Sequence, residues 1–360
     1  MSKGLTQEEM FSLIQKKAEA DERIRAAALD GSRANPDALH DEYSDFDVVF
    51  FVRDSREFTQ NTGWIRDYGE VLIAQFPDDW YNHPYDYEGK EPFHCLVQYA
   101  DGNRIDFTIR DVSRGEEENN REPRTVLLDK DGYDWLKPVE TDEAFFIKRP
   151  GKKEYLDCVN EFRWLSLYVA KGLCRDQFNY ARFHLSEGMG GMFFKMLDWK
   201  IGLSHDFRVS TGSHGKYLKK YLPEEEMARV REAFPDGETA HMWNGLGVMY
   251  DYFEELAEAV AGGLGYPYDQ KEAERVKEFW QNRRKNETQK GGEMTFRERY
   301  LAGEIPFEKI DDYVEEWNNS EDMRTLREYL GLTAEEEDVW IDDSDEALME
   351  LLEKERRARQ

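Results

Sequence analysis

"GSRANPDALHDEYSDFDVVFFV", residues 31–52, decides the fold of the first third of this 360-residue chain. An apolar run, Ile24 to Leu29, leads into Gly31-Ser32, and a stronger one, Val48 to Val52, follows Asp45 and Asp47. Successive residues of a strand point to opposite faces, so acids one residue apart at a strand mouth share a face. Like charges so close repel, and the pairing makes sense with a positive group between them. Gly lets the backbone approach a phosphate closely, and the N–H groups of a turn can receive its oxygens.

Working outward, Thr6 and Glu9 form a capping box ahead of Met10, Phe11, Ile14 and Ala18 at helical spacing. Strands are expected at Arg23–Asp30, Phe46–Arg53, Val71–Gln75 and Arg124–Leu128. A hairpin is expected from His94–Tyr99 and Arg104–Arg110 around Asp101-Gly102. On that hairpin Ile105 and Phe107 face one way, Asp106 and Thr108 the other. On an adjacent strand, this third carboxylate is expected to converge with Asp45 and Asp47. Three acids around a pair of Mg²⁺ ions suit phosphoryl or nucleotidyl transfer, because Mg²⁺ takes few protein carboxylates and completes its shell with phosphate oxygens and water.

Beyond a linker at residues 136–153 the period lengthens. Helices are expected over residues 154–172, 175–186, 189–202, 223–233, 239–262 and 270–285. Gly188, Gly190 and Gly191 are expected to break one join, and Gly262, Gly263 and Gly265 with Pro267 another. "NETQKGGE", Asn286–Glu293, reads as a polar linker. Residues 301–360 carry 7 basic and 20 acidic side chains, a net charge of −13, and read as a small acidic helical appendage. The expected class is α+β, with a mixed-sheet domain and flanking helices at 1–135, an all-helical domain at 150–286 and the appendage at 294–360.

Lys and Arg number 49 against 77 Asp and Glu, a net −28, which argues against non-specific nucleic-acid or anionic-membrane binding and suits a cationic small molecule as well as plain solubility. Cys95, Cys158 and Cys174 are odd in number and never spaced as a redox or zinc pair. The first ten residues lack a signal-peptide core, and no apolar run approaches the ~18 residues of a membrane span. A cytoplasmic protein is expected, with its oligomeric state left open.

"GSRANP…DEYSDFDVVFFV" and "DGNRIDFTI" resemble the nucleotidyltransferase superfamily and, more closely, the aminoglycoside 6-adenylyltransferases. The likeness continues through "NEFRWLSLYVAKGLCRDQ", "GSHGKYLKKYL" and "GYPYD", over residues 7–285. It implies a nucleotidyltransferase domain followed by a helical one. It implies Mg²⁺-dependent transfer of AMP from ATP to a hydroxyl of a streptomycin-like aminoglycoside, conferring resistance. Asp45, Asp47 and Asp106 are the candidate metal ligands, and Gly31, Ser32 and Arg33 the nucleotide-binding turn. The acidic, aromatic stretch at 77–93 and the residues after about 290 depart from the pattern.

In the segment 160–175, Cys158, Phe162, Leu165, Val169 and Leu173 make an apolar stripe. Glu161, Trp164, Tyr168, Lys171 and Arg175 line up beside it. Used as a cleft wall, this line offers Lys171 and Arg175 to a triphosphate. It offers Glu161, Trp164, Tyr168 and the nearby Asp176 to the cationic substrate. The plain alternative is an interdomain seam with snorkelling charges. Glu161 and Asp106 are both candidates for the general base, and Lys216 is a further possible phosphate contact. Rival readings keep the chemistry but change the acceptor to a lincosamide or a protein hydroxyl, as in toxin–antitoxin nucleotidyltransferases. Another reduces the chain to a non-catalytic nucleotide-binding regulatory module.

Overall fold

The computed structural model describes all residues except 1–4, 36, 37, 39, 40, 42, 89, 90, 118–121, 293, 321, 323 and 360. The side chains of 117, 286–292, 358 and 359 are also outside the description. The chain divides into two compact units, residues 1–147 with 205–212, and residues 148–204 with 213–360.

The first unit is built on six strands: β1 (Ile24–Asp30), β2 (Phe46–Val52), β3 (Val71–Gln75), β4 (Phe93–Tyr99), β5 (Arg104–Asp111) and β6 (Arg124–Asp129). Their order is β3-β4-β5-β2-β1-β6. All neighbours are antiparallel except β2 and β5, which are parallel, so the sheet is mixed. The hairpin turns at Gly102, whose φ of 98° is reached without strain only by glycine. β5 alternates partly exposed and buried residues along its length. Its Ile105, Phe107 and Ile109 therefore enter a core with Val48, Phe50, Val52, Cys95 and Val97. Helix α1 (Gln7–Ala20) covers that face with Met10, Ile14 and Ala18, and its Thr6–Glu9 capping box forms as expected. A second, smaller core on the opposite face gathers Ala26, Ala28, Val49, Phe51 and Leu136. A short helix, α2 (Arg56–Thr59), follows β2.

The second unit is all-helical: α3 (Lys152–Cys174), α4 (Phe178–Phe183), α5 (Gly190–Ser204), α6 (Glu224–Glu232), α7 (Thr239–Leu264) and α8 (Gln270–Gly292), then α9 (Phe296–Leu301), α10 (Ile310–Asn319), α11 (Leu326–Leu330), α12 (Ala334–Asp342) and α13 (Asp345–Arg359). The α3 apolar stripe is buried as read, Cys158, Phe162, Leu165, Val169 and Leu173 included. Residues 296–352 own a separate core of Phe296, Tyr300, Leu301, Phe307, Ile310, Leu330, Leu332, Leu348 and Leu352.

Three expectations are corrected. The 286–293 stretch is no extended linker, since α8 runs on to Gly292; its side chains and Glu293 lie outside the described residues. Gly188, Gly190 and Gly191 do not break the chain, because a π-helical turn, His184–Met189, leads directly into α5. A Cβ at Gly188 would stand 2.7 Å from Leu165 and one at Gly190 3.0 Å from Phe234, so glycine serves close packing there. At the other join Gly265 does end α7, in the left-handed conformation, but Gly262 and Gly263 lie within the helix.

Candidate active site

β2 and β5 run side by side in parallel, and their register sets Asp47 opposite Asp106. Neighbouring strands lie about 4.8 Å apart, so two carboxylates on the same side of facing residues are forced into proximity. Asp47 shares its face with Val49 and Phe51, and Asp106 with Thr108, the face opposite α1. Asp45 precedes the first residue of β2, so its approach to Asp47 comes from the loop and not from strand alternation.

Arg104, two residues before Asp106 on the same face of β5, brings a positive charge to the site. Its Nε and Nη2 donate to the two Asp106 oxygens at 2.9 and 2.8 Å, and its Nη1 stands 3.5 Å from Asp45 Oδ2. A fork of this kind is the strong form of an ion pair. Arg104 was absent from the residues singled out in the sequence, although the two-residue period places it beside Asp106.

At Asp47 the electrostatics are unfavourable to the charged form. Burial first, and then the charges of Asp106, Asp45 and Asp30, push its carboxyl up to about 6 from 3.8, while Arg104 pulls the other way. Asp30 faces Asp47 across the β1–β2 ladder and is held by Arg124 through a pair of hydrogen bonds, each 2.7 Å. Asp30 and Arg124 also escaped the sequence reading; the alternation of β1 beside Gly31 was the signal for the first.

Gly31 has a steric reason of its own. Its φ is +70°, and a Cβ there would sit 2.3 Å from Asp47 Oδ2. Gly31, Ser32, Arg33 and Ala34 form a single 3₁₀ turn after β1. Arg33 turns inward. Its Nε donates to the Asp45 carbonyl at 2.8 Å, Nη2 to the Ser44 carbonyl and Nη1 to Gln7 Oε1 at 3.1 Å, with the guanidinium 3.8 Å above the Phe46 ring. It thereby braces the loop that carries Asp45. Pro36, Asp37, Leu39, His40 and Glu42 of the quoted stretch lie outside the described residues.

Among the described residues, no three His, Cys, Asp or Glu side chains stand together as a ready metal cage; at the Asp45–Asp106 pair the intervening group is the Arg104 fork. The donor chemistry nonetheless fits a hard divalent cation. Carboxylate oxygens are its preferred ligands, and at this site burial and the neighbouring acids already disfavour the Asp47 charge.

The structure brings together Asp45, Asp47, Asp106, Gly31, Ser32 and Arg33. Glu161, Trp164, Tyr168, Lys171, Arg175 and Asp176 belong to the other unit. There Glu161, Trp164 and Lys171 are exposed on α3, and Trp164 packs edge-on to Tyr168 at 6.1 Å. Tyr168 in turn meets Tyr180 and His184, at 6.2 and 5.1 Å. Arg175 caps α3, and Asp176 adopts the left-handed conformation that turns the chain into α4. No helix among the described residues is long and apolar enough to cross a membrane, and the three cysteines are free thiols.

Comparison with known proteins gives one consistent result. A family model described as streptomycin adenylyltransferase matches residues 5–283. An aminoglycoside 6-adenylyltransferase of Bacillus subtilis (strain 168) is 33% identical over 265 residues, covering 73% of this chain and 93% of that protein. One of Campylobacter jejuni is 32% identical over 264 residues, covering 73% and 91%. A crystal structure of an aminoglycoside 6-adenyltransferase from Bacillus subtilis aligns over 78% of this chain and 98% of that chain, with 28% identity and a TM-score of 0.39.

Proposed function

Because the chain belongs to the streptomycin adenylyltransferase family and is a nucleotidyltransferase, we propose that it transfers AMP from ATP to a hydroxyl of a streptomycin-like aminoglycoside. The observation that carries the site assignment is the facing of Asp47 and Asp106 across parallel strands, with Asp45 brought to the same cation, Arg104. Asp45, Asp47 and Asp106 would hold Mg²⁺, which when bound supplies charge neutralisation for the phosphates and the attacking oxygen.

The remaining roles fall to the chain's own side chains. Gly31 leaves room for the Asp47 carboxylate, and its turn, with Ser32, offers backbone N–H groups to phosphate oxygens. Arg33 fixes the Asp45 loop through two backbone carbonyls. Asp106 is assigned to the metal, and Glu161 is the candidate proton acceptor. Lys171 and Arg175 are assigned to phosphate, and Glu161, Asp176, Trp164 and Tyr168 to the amino and guanidino groups of the acceptor.

The test is direct. The full chain is incubated with Mg²⁺, each of the four nucleoside triphosphates in turn and a panel of aminoglycosides and lincosamides, and the antibiotics are weighed by mass spectrometry. An AMP increment on streptomycin, dependent on ATP, is the expected result. Modification of lincosamides alone, or of none of the panel, would refute the acceptor assignment.

A further inference from the structure

Arg104 does more than the transfer reaction as outlined requires of it. The carboxylates assigned to the metal are not simply exposed to solvent. Arg104 binds both oxygens of Asp106 through Nε and Nη2 and reaches Asp45 Oδ2 with Nη1 at 3.5 Å, so one guanidinium joins two of the three. A guanidinium keeps its charge at any working pH, so it leaves these acids only by moving. Its side chain is 41% exposed, and it sits at the first position of β5, beside the Asp101–Asn103 turn.

A divalent cation and this fork compete for the same oxygens. A lone cation must displace a charge-assisted pair, whereas a cation arriving with a triphosphate brings the anion that the displaced guanidinium can join. We propose that Arg104 is a resident counter-cation that makes metal binding conditional on nucleotide: it holds Asp45 and Asp106 until a metal–triphosphate arrives, then passes from the carboxylates to the phosphates. This rests on the metal assignment to Asp45, Asp47 and Asp106. Arg104 thereby sets the order of binding, and it becomes a direct phosphate ligand in the loaded site.

The test uses Mn²⁺ as the probe on the full chain, with binding read by electron paramagnetic resonance of free Mn²⁺, with and without a non-hydrolysable ATP analogue. Wild type binds Mn²⁺ weakly alone and tightly with the analogue. Arg104→Gln binds Mn²⁺ alone at least tenfold more tightly than wild type, and binds the analogue at least tenfold more weakly. Arg104→Lys, which keeps the charge but loses the fork, falls between them on both readouts, and it carries the test if Arg104→Gln does not fold. Equal Mn²⁺ affinity of wild type and these variants in the absence of nucleotide would overturn the proposal. The metal assignment stands or falls separately: Asp47→Asn, with Arg104 intact, must lose the Mn²⁺ that wild type binds with the analogue.

Discussion

Replacing Asp47 by Asn removes the charge that the site holds least comfortably. The Asp47 carboxyl is pushed from 3.8 up to about 6, by burial first and then by Asp106, Asp45 and Asp30. A folded-state pKa above the unfolded one means that the folded chain keeps its proton where the unfolded chain has lost it. Stability therefore falls as pH rises from about 4 to about 6, and is level above that. Two pKa units correspond to about 3 kcal/mol at neutral pH, an upper figure because the side chain is only partly shielded from water. Asparagine keeps the shape and lacks the charge, so Asp47→Asn gains about 1–3 kcal/mol at pH 7.5 and about a third of that at pH 4.5. For a unit of this size that is a rise of at least ~3 °C in Tm. The assay is thermal and urea unfolding of both proteins in EDTA at the two pH values. Titrating groups away from the site are common to both, so the double difference reports Asp47 together with its coupling to Asp106, Asp45 and Asp30. Parallel pH profiles, or an Asn variant less stable than wild type at pH 7.5, would refute the electrostatic account of the site.

Gly31→Ala is expected to destabilise by more than ~1 kcal/mol and to abolish transfer, because the new Cβ meets Asp47 Oδ2 at 2.3 Å in a left-handed backbone; unfolding and turnover measured together check it. Arg33→Met should lower kcat while leaving the KM for ATP within about threefold, since its guanidinium braces the Ser44 and Asp45 carbonyls; a rise in that KM with unchanged kcat would make Arg33 a nucleotide contact instead. Ending the chain after Gly292, at the end of α8, removes residues that form their own core. Steady-state kinetics should then show kcat/KM within about threefold of the full chain, less than ~1 kcal/mol in barrier.

β4 and β5 were legible from period-2 alternation and β1 and β2 from their apolar runs, and β3 begins and ends where the sequence places it. Asp47 and Asp106 were legible from their places at strand starts, whereas Asp45 comes to them from the loop before β2. What escaped were partners set by register. The sequence does not show that β2 lies parallel to β5, so it does not show Asp47 facing Asp106 or Arg104 reaching back to Asp45. The glycines near 188 misled because a packing glycine and a breaking glycine look alike until the Leu165 and Phe234 side chains are in place. The end of α8 misled because "NETQKGG" is polar and glycine-tipped, features shared by linkers and by solvated final turns of helices.

On the proposed assignment, the carboxylate face of the sheet performs adenylyl transfer. Single-turnover transfer of labelled AMP from α-³²P-ATP to streptomycin, in wild type and in Asp45→Asn and Asp106→Asn, tests it most directly. The account predicts labelled streptomycin from wild type and at least a ~10³-fold slower step in each folded variant, about 4 kcal/mol in barrier. Transfer at an undiminished rate in either variant would contradict it.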